Sequence, residues 1–322
     1  MTDLWPGCAT EQDFAAVRRD DARLYPGVRA ICAALGHGHA NVERFPDGSL
    51  PVYAIGDDLV LKLYPPLFAD EHHTEAAVLS AVAGRLAVPT PAVLANGALS
   101  GWGYLLMTRL RGRPLTAAWS DIHGSGQAAL ARALGVALAA LHALPAPRCE
   151  AVRIDWHAFV DTQRRTALAR QRARGLDEMW LRQIPDFLAS VSLDGAAPAA
   201  LLHTEVMREH LLVTRRDDEW RLSGLFDFEP AVRGAPEYEF ASVGLFFACG
   251  DSHLLRQVLL AYGYAPEQLN RELSRRLLAY ALLHRYSNLP WYLWRLPVGR
   301  AVTSLDDLAT CWFATDAPDR RD

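Results

Sequence analysis

The first third of the chain alternates short apolar runs with polar turns, which is the pattern of a small antiparallel sheet. The first two of these turns, Pro46-Asp47-Gly48-Ser49 and Gly56-Asp57-Asp58, consist of residues that strongly favour turns. Five runs have the length and composition of strands: 42–45, 51–55, 59–64, 93–98 and 103–110. Three runs have apolar positions at helical spacing: 10–24, 28–35 and 70–86. The pattern predicts a five-stranded antiparallel sheet with helices packed around it.

Beyond residue 114 the apolar positions recur mainly at helical spacing. Seven helices are predicted there: 126–144, 154–174, 176–188, 236–249, 252–263, 266–288 and 305–314. Two apolar runs within 201–213 instead indicate a hairpin embedded among the helices. The turn-rich stretch Arg111-Gly112-Arg113-Pro114 is the best boundary between lobes. The sequence therefore predicts an α+β protein with a β-rich N-terminal lobe (1–110), a hinge at about 107–112 and a larger helical lobe (111–322).

Composition narrows the class of protein. The chain has 322 residues, of which 51% are apolar and 22% charged, the balance of an ordinary globular protein. A net charge of −4 gives no support to non-specific nucleic-acid binding, and no apolar run approaches the ~20 residues that span a bilayer. The N-terminus lacks the pattern of a signal peptide, and five scattered cysteines fit a reducing cytosol. We expect a cytoplasmic protein, monomeric or homodimeric, that binds neither nucleic acid nor membrane.

The stretch from Leu201 to Val213 carries the densest ionisable chemistry of the chain. Two apolar runs flank a polar turn that holds two His and two Glu. Ionisable clusters on loops between buried strands are frequent catalytic sites. The turn alone is equally consistent with an exposed hairpin that is merely charged.

A second candidate is Lys62, which interrupts the apolar run 59–63. A lone lysine in a strand more often points to solvent, and on local grounds that interpretation stays open. Glu75 lies on the helix that follows, and it approaches the Lys62 strand if this helix packs on the sheet.

The order of these features resembles the aminoglycoside phosphotransferase family, the antibiotic-kinase branch of the protein-kinase-like fold. The catalytic loop of that family usually reads His-Gly-Asp-x-His-x-x-Asn, followed by Ile-Asp-Phe/Trp and by Gly-Asp-Pro-x-x-Asp-Leu-Ala. The matching segments here are His203 to His210, Phe226-Asp227-Phe228 and Gly234 to Ala241. Spacing is kept throughout, and the resemblance covers about residues 42–249. It implies a bilobal, protein-kinase-like fold and phosphotransferase activity.

The resemblance also implies roles in phosphoryl transfer, where a protein mostly positions groups and neutralises charge. Lys62 would hold the α- and β-phosphates of ATP or GTP, and Glu75 would orient it. The carboxylate of Glu205 would accept the proton of the acceptor hydroxyl. Asp227 and His210 match the ligands of Mg²⁺, with Glu209 as the alternative ligand if the loop is shifted.

Further positions have supporting roles by the same resemblance. The purine would bind the backbone of the connector Met107-Thr108-Arg109, and Ser49 lies in the turn that would cover the phosphates. His203 would pack behind the catalytic loop, and Glu239 would brace it. Two interpretations of Glu229 stay open. It would contact a second metal ion or the substrate, or it would be solvated.

Two identities depart from the family pattern. Glu205 replaces the usual Asp and extends the carboxylate by roughly 1.5 Å, where a misplacement of about 1 Å can cost on the order of 100-fold in rate. His210 replaces Asn, and imidazole is a weaker ligand than oxygen for Mg²⁺. Macrolide-kinase members of the family also have His at this position. The alternative to an active kinase is an inactive, kinase-like nucleotide-binding protein.

The acceptor is expected to bind the helical lobe. Residues 271–300 contain six arginines and one acid, together with Tyr286, Trp291, Tyr292 and Trp294. This composition suits a neutral or anionic acceptor of nucleoside or macrolide type rather than a polycationic aminoglycoside. The competing interpretation is that the arginines face solvent and the aromatics are core. We therefore expect an antibiotic O-phosphotransferase, with a hygromycin-like aminoglycoside kinase or a primary-metabolite kinase as alternatives.

Overall fold

The computed structural model describes residues 4–193, 198–296 and 298–314. A sheet with covering helices is formed by the N-terminal part, and the remainder is mostly helical. This arrangement confirms the predicted α+β architecture.

Two helices precede the sheet, α1 (Glu11–Val17) and α2 (Asp21–Ala34), and their bounds differ from the prediction. The first predicted helix stops early because the Asp20 carboxylate caps α2 by accepting from the backbone N–H of Arg23. Helix α2 then runs through Gly27, where the sequence predicted a gap. A Cβ at Gly27 would lie 2.2 Å from the Trp5 ring, so close packing explains the glycine.

The sheet has the five predicted strands, all antiparallel. They are β1 (Val42–Arg44), β2 (Val52–Ile55), β3 (Leu59–Tyr64), β4 (Val93–Leu99) and β5 (Trp102–Thr108), in the order β1-β2-β3-β5-β4. Strand β3 lies in the centre, where Lys62 pairs with Val52 on one side and Leu105 on the other. The β4–β5 hairpin closes through Ser100 and Gly101, which both have positive φ, as two-residue hairpin turns require.

Helix α3 (Ala69–Val82) packs on β3, β4 and β5 and covers the centre of the sheet. Its buried side includes Glu75, Ala76 and Leu79. Because positions one turn apart lie on the same helix face, the packing of Ala76 and Leu79 brings Glu75 over the sheet as well.

The connector enters the second part of the chain as a strand. Short β6 (Arg113–Pro114) pairs with β8 (Leu211–Arg216), which also pairs with β9 (Glu219–Leu225). The central sheet therefore ends at Thr108, and five residues later the chain already belongs to another sheet.

Helices make up most of the C-terminal part. They are α4 (Leu115–Ala118), α5 (Ser125–Ala143), α6 (Trp156–Ala173), α7 (Glu178–Leu181), α8 (Ile184–Ser190), α9 (Pro236–Ser242), α10 (Ser252–Tyr262), α11 (Arg271–Leu283), α12 (Leu289–Arg295) and α13 (Leu305–Phe313). By length and composition α5 is apolar enough to cross a membrane. Here one face of α5 is buried and packs against α10 and β9, and Gly135 lets the backbone of α10 approach closely.

The predicted hairpin within 201–213 is wrong. Strand β7 (Ala200–Leu202) pairs with β10 (Val232–Gly234), whereas β8 pairs with β6 and β9. The two apolar runs are strands, but each pairs with a partner elsewhere in the chain. The polar residues between them are therefore a connection between two sheets rather than a tight turn.

Helix α12 was not predicted, because Pro290 interrupts the apolar pattern. Proline is tolerated in the first turn of a helix, where its missing N–H has no partner to lose. Asn288 caps this helix by accepting from the Trp291 N–H. The predicted helix 266–288 ends instead at Leu283.

Candidate active site

Lys62 is buried, so the solvent-facing interpretation is wrong. Its residue is 5% exposed, and its Nζ lies 2.7 Å from Glu75 Oε2 and 2.5 Å from Asp227 Oδ1. Glu229 Oε2 also lies 2.5 Å from the ammonium. The structure thus brings together one cation and three carboxylates that come from β3, α3 and the loop after β9.

Glu75 has partners for both of its oxygens. Oε2 accepts from Lys62 and from the Tyr64 hydroxyl at 2.5 Å, while Oε1 accepts from the backbone N–H of Phe228 at 3.2 Å. Tyr64 lies two residues after Lys62 and therefore on the same face of β3. These contacts hold Glu75 as the partner of Lys62 and tie α3 to the segment that carries Asp227.

The charged groups of this cluster shift one another's pKa values. Burial disfavours the Lys62 ammonium, but Asp227, Glu229 and Glu75 outweigh it and raise the pKa of Lys62 well above its usual range. Burial also disfavours the Asp227 carboxylate, yet Lys62 and His210 hold its pKa well below its usual range. Burial, reinforced by the charges of Asp227 and Glu75, raises the pKa of Glu229 to about 8.

The residues present fit a divalent cation. Oxygens of Glu75, Asp227 and Glu229 lie within 4.8 Å of one another, and carboxylate oxygens are the ligands that Mg²⁺ prefers. Glu229 Oε2 is buried and has no hydrogen-bond partner among the described residues, although it lies close to Lys62. Because Glu75 already accepts from three donors, Asp227 and Glu229 are better placed to hold a metal ion once Lys62 turns away from them.

His210 lies beside Asp227, and Glu209 does not. His210 Nε2 is 3.1 Å from Asp227 Oδ2, and Nδ1 donates to the Glu205 carbonyl at 2.8 Å. Burial opposes protonation of the imidazole, but Asp227 outweighs it and raises the pKa of His210 to about 9. Nε2 must lose its proton before it can ligate a metal ion. Glu209 instead forms an ion pair with Arg295.

Glu205 follows β7 on a loop that is braced from behind. The backbone N–H of His203 donates to Glu239 Oε2 at 2.6 Å, and His203 Nε2 donates to the Phe226 carbonyl at 2.9 Å. His203 is fully buried, as its predicted packing role requires. Burial raises the pKa of Glu205, with Asp227 adding to the shift and His210 opposing it. The carboxyl is therefore more basic than an ordinary glutamate.

Thr204 has a left-handed backbone, with φ of 73°, directly before Glu205. This conformation is costly for a β-branched residue, whereas glycine adopts it readily. Three hydrogen bonds hold it. The Thr204 hydroxyl donates to the Pro230 carbonyl, and the Thr204 carbonyl accepts from Ser242 Oγ at 2.5 Å and His284 Nε2 at 3.2 Å.

The predicted nucleotide contacts lie at the end of β5 and in the β1–β2 loop. The N–H groups of Thr108 and Arg109 already donate to the backbone carbonyls of Ala92 and Asp58, so they are not free for a purine in this conformation. The Arg109 guanidinium lies 5.4 Å from the Phe45 ring centroid, next to the loop. Ser49 is exposed in that loop, and Met107 is buried within β5.

Tyr286 and Trp291 line an open cleft of about 280 Å³ together with Glu205 and Glu209. They are 50% and 38% exposed, so the interpretation that the aromatics of this segment are core is wrong for both of them. That interpretation holds for Tyr292, which is 4% exposed.

Most arginines of residues 271–300 have acidic partners that lie outside this segment. Arg275 pairs with Asp306 at 2.7 Å, and Arg276 pairs with Glu237 at 2.8 Å. Within the described parts of the chain, Arg295 is the arginine that lines the cleft. The positive charge predicted from the local sequence is therefore largely neutralised by the fold.

Sequence reasoning missed Tyr64, Ser242 and His284 as supports of the site. Only Tyr64 carried a signal, since it shares a strand face with Lys62. A compositional signal for Lys62 was also missed. This residue is the only lysine among 33 Lys and Arg residues.

A buried strand lysine paired with a helix glutamate, next to an aspartate on the loop after a second sheet, is the arrangement typical of kinase-type phosphotransferases. Consistent with this class, the sequence model of the "Phosphotransferase enzyme family" matches residues 41–273. The chain belongs to that family. No curated protein matches the sequence significantly.

Solved structures with the same fold include aminoglycoside phosphotransferases. The GDP complex of wild-type aminoglycoside 2'-phosphotransferase-IIIa has a TM-score of 0.67 at 19% identity, covering 87% of this chain and 95% of its own. The streptomycin–ATP ternary complex of APH(2'')-IIa has a TM-score of 0.57 at 15% identity, with coverages of 83% and 90%. For APH(3'')-Id from Streptomyces rimosus the values are 0.54, 19%, 81% and 98%. These matches confirm the predicted protein-kinase-like fold.

Proposed function

We propose that this protein transfers the γ-phosphoryl group of ATP or GTP to a hydroxyl of a small antibiotic-type molecule in the cytoplasm. The observation that carries the proposal is the convergence of Glu75, Asp227 and Glu229 on Lys62. A buried ammonium surrounded by three carboxylates is costly as a purely structural device. It is useful where a polyanion and its metal ion enter, because the carboxylates can hold the metal ion while the ammonium contacts the phosphates.

Lys62 binds the phosphates of the nucleotide and Glu75 orients it. Glu75 keeps its position when Lys62 turns, because Tyr64 and the Phe228 N–H continue to hold its two oxygens. Lys62 then exchanges its contacts with Asp227 and Glu229 for phosphate oxygens, which carry more negative charge.

Asp227 and Glu229 would hold Mg²⁺, and His210 would be a third ligand once its Nε2 proton is lost. Bound Mg²⁺ neutralises charge on the phosphate oxygens during transfer. The raised pKa values of His210 and Glu229 favour the protonated forms of both side chains in the free protein, so ligation of a metal ion by either residue releases a proton.

Glu205 accepts the proton of the acceptor hydroxyl as its oxygen attacks the γ-phosphorus and the bond to the β-phosphate oxygen breaks. Its raised pKa suits a general base, since a base works best when its pKa approaches the working pH. Glu205 lines the same cleft as Tyr286 and Trp291, so its carboxylate is available to an acceptor bound there.

A neutral acceptor fits this cleft best. Aromatic side chains on its walls favour a molecule that stacks or buries an apolar face. An anionic acceptor has less support than the local sequence indicated, because Arg275 and Arg276 pair with acids outside the cleft. The similar solved structures include complexes with kanamycin, streptomycin and hygromycin B, so aminoglycosides are the main alternative acceptors.

The test is transfer from labelled ATP and GTP, with magnesium, to a panel of hydroxyl acceptors. The panel contains neutral nucleoside-type and macrolide-type antibiotics, aminoglycosides, and primary metabolites such as sugars, choline and serine. We expect a phosphorylated product from a neutral antibiotic-type acceptor. Product from aminoglycosides alone would overturn the acceptor class. Nucleotide binding without any product or hydrolysis would overturn the enzymatic function.

A further inference from the structure

Among the residues that the structure describes, three charged side chains line the acceptor cleft: Glu205, Glu209 and Arg295. His284 also lines it but is uncharged, because burial lowers the pKa of its imidazole to about 3. Since Glu205 is the proposed base, Glu209 is the carboxylate available to recognise a positively charged group on the acceptor.

Arg295 already forms an ion pair with Glu209. Its Nη2 lies 3.3 Å from Glu209 Oε1, and its guanidinium carbon lies 5.3 Å from the centroid of the Trp291 ring. Both partners of the pair are partly exposed, so they lie at the rim of the cleft. Arg295 is the last residue of α12, and Trp291 lies one turn earlier on the same helix face. The helix itself therefore fixes the stack of Arg295 on Trp291.

We infer that Arg295 is a specificity-determining residue that makes the cleft reject polycationic acceptors and accept neutral ones. This inference rests on the proposed function, in which the cleft receives the acceptor. The pair with Glu209 removes the carboxylate that an ammonium group would need, and the stacked guanidinium repels the approaching cation.

The effect works by competition. An ammonium group that reaches Glu209 must displace Arg295 from both the carboxylate and the aromatic ring. At partly exposed sites an ion pair and a cation–π contact are each modest, and together they correspond to about a tenfold change in binding constant. A neutral acceptor leaves both contacts intact and stacks on the remaining aromatic surface.

Kanamycin binding measured by calorimetry tests the inference without nucleotide, metal ion or turnover. The variant Arg295→Met keeps an unbranched stem that packs on Trp291 and removes the charge. We expect it to bind kanamycin about tenfold more tightly than the wild type. The matched control is Arg271→Met, which makes the same change in net charge at a side chain that is 71% exposed on another helix.

The double variant Arg295→Met/Glu209→Gln separates local recognition from general charge. It should lose the gain in kanamycin affinity, because the unmasked carboxylate is no longer there. Arg295→Gln serves as the second variant if Arg295→Met does not fold. Equal affinities of wild type and both Arg295 variants would overturn the inference, as would an equal gain in Arg271→Met or in the double variant.

The binding result and the transfer result are independent. A tightened kanamycin affinity in the absence of any phosphorylated product would support the role of Arg295 and count against the kinase function. Transfer to a neutral acceptor together with unchanged kanamycin affinity in the Arg295 variants would support the kinase function and count against the role of Arg295.

Discussion

Lys62 Nζ lies 2.7 Å from Glu75 Oε2, and both residues are almost completely buried. The pair joins the central strand of the sheet to the helix that covers it. Glu75 also accepts from the Phe228 N–H, which links this pair to the segment with Asp227 and Glu229. One buried carboxylate therefore aligns the proposed phosphate contact with the proposed metal ligands.

Replacement of Lys62 by Met should destabilise the protein. It leaves Glu75, Asp227 and Glu229 without their shared cation, and loss of one partner from a buried pair costs about 3–5 kcal/mol. Urea unfolding should record this loss. Millimolar magnesium should restore more stability to the variant than it adds to the wild type, because a bound cation replaces the missing charge.

Arg271→Met is the control for a lost basic side chain, and its stability should change little, because its ion pair is exposed. A Lys62→Met protein as stable as the wild type, with no response to magnesium, would show that the acids do not form one cation-dependent cluster.

Replacement of Glu205 by Gln should abolish transfer and leave nucleotide affinity nearly unchanged. The amide keeps the shape of the side chain but cannot accept the hydroxyl proton, and loss of a general base typically costs about 10²–10⁴-fold in rate. Initial rates with labelled ATP and nucleotide titrations check both parts. Comparable turnover in Glu205→Gln would mean that another group accepts the proton.

Replacement of His210 by Asn should preserve or raise the transfer rate. An amide oxygen is a harder ligand for Mg²⁺ than imidazole, and the amide N–H can still donate to the Glu205 carbonyl. His210→Ala is the comparison, since it removes both contacts and should lose activity. Complete inactivation of His210→Asn would assign the imidazole a function of its own.

His284→Gln should reduce the loss of stability in acid. In the folded protein burial, together with the charges of Arg285 and Arg170, lowers the pKa of His284 to about 3 from its usual 6.5. The unfolded chain therefore binds the proton more readily, and stability falls as the pH drops below about 6.5. This single group contributes about 1.4 kcal/mol per pH unit, or about 2 kcal/mol between pH 6.5 and pH 5.

The glutamine variant keeps a donor for the Thr204 carbonyl but cannot titrate in this range. Urea unfolding at both pH values should give a smaller difference for the variant than for the wild type. Identical differences would indicate that His284 is solvated or already protonated in the folded protein.

Local pattern predicted the sheet well because turn chemistry and alternation act over a few residues. Strand β3 has the predicted bounds, and the helix that carries Glu75 packs as its apolar face indicated. The hairpin within 201–213 was mispredicted because pairing depends on partners far along the chain. Ala200–Leu202 pairs with Val232–Gly234, a choice that neither segment encodes alone.

The same limit applies to the site. Motif spacing pointed to Glu205, His210 and Asp227. Glu205 and His210 are five positions apart, and His210 and Asp227 lie at the adjacent ends of the paired strands β8 and β9. Motif spacing did not reveal that Arg276 would be neutralised by Glu237 or that Glu209 would pair with Arg295. Such pairings join residues that are 39 and 86 positions apart, and local charge counts therefore overstated the basic character of the acceptor side.

The most direct test of the nucleotide site uses the fact that Lys62 is the only lysine of the chain. Acyl-phosphate derivatives of ATP or GTP transfer their acyl group to an amine beside the bound phosphates, and mass spectrometry locates the modified residue. We expect one lysine adduct, at Lys62, that excess ATP or GTP prevents in the presence of magnesium. An unmodified Lys62, or an adduct that neither nucleotide suppresses, would contradict a nucleotide site at this residue.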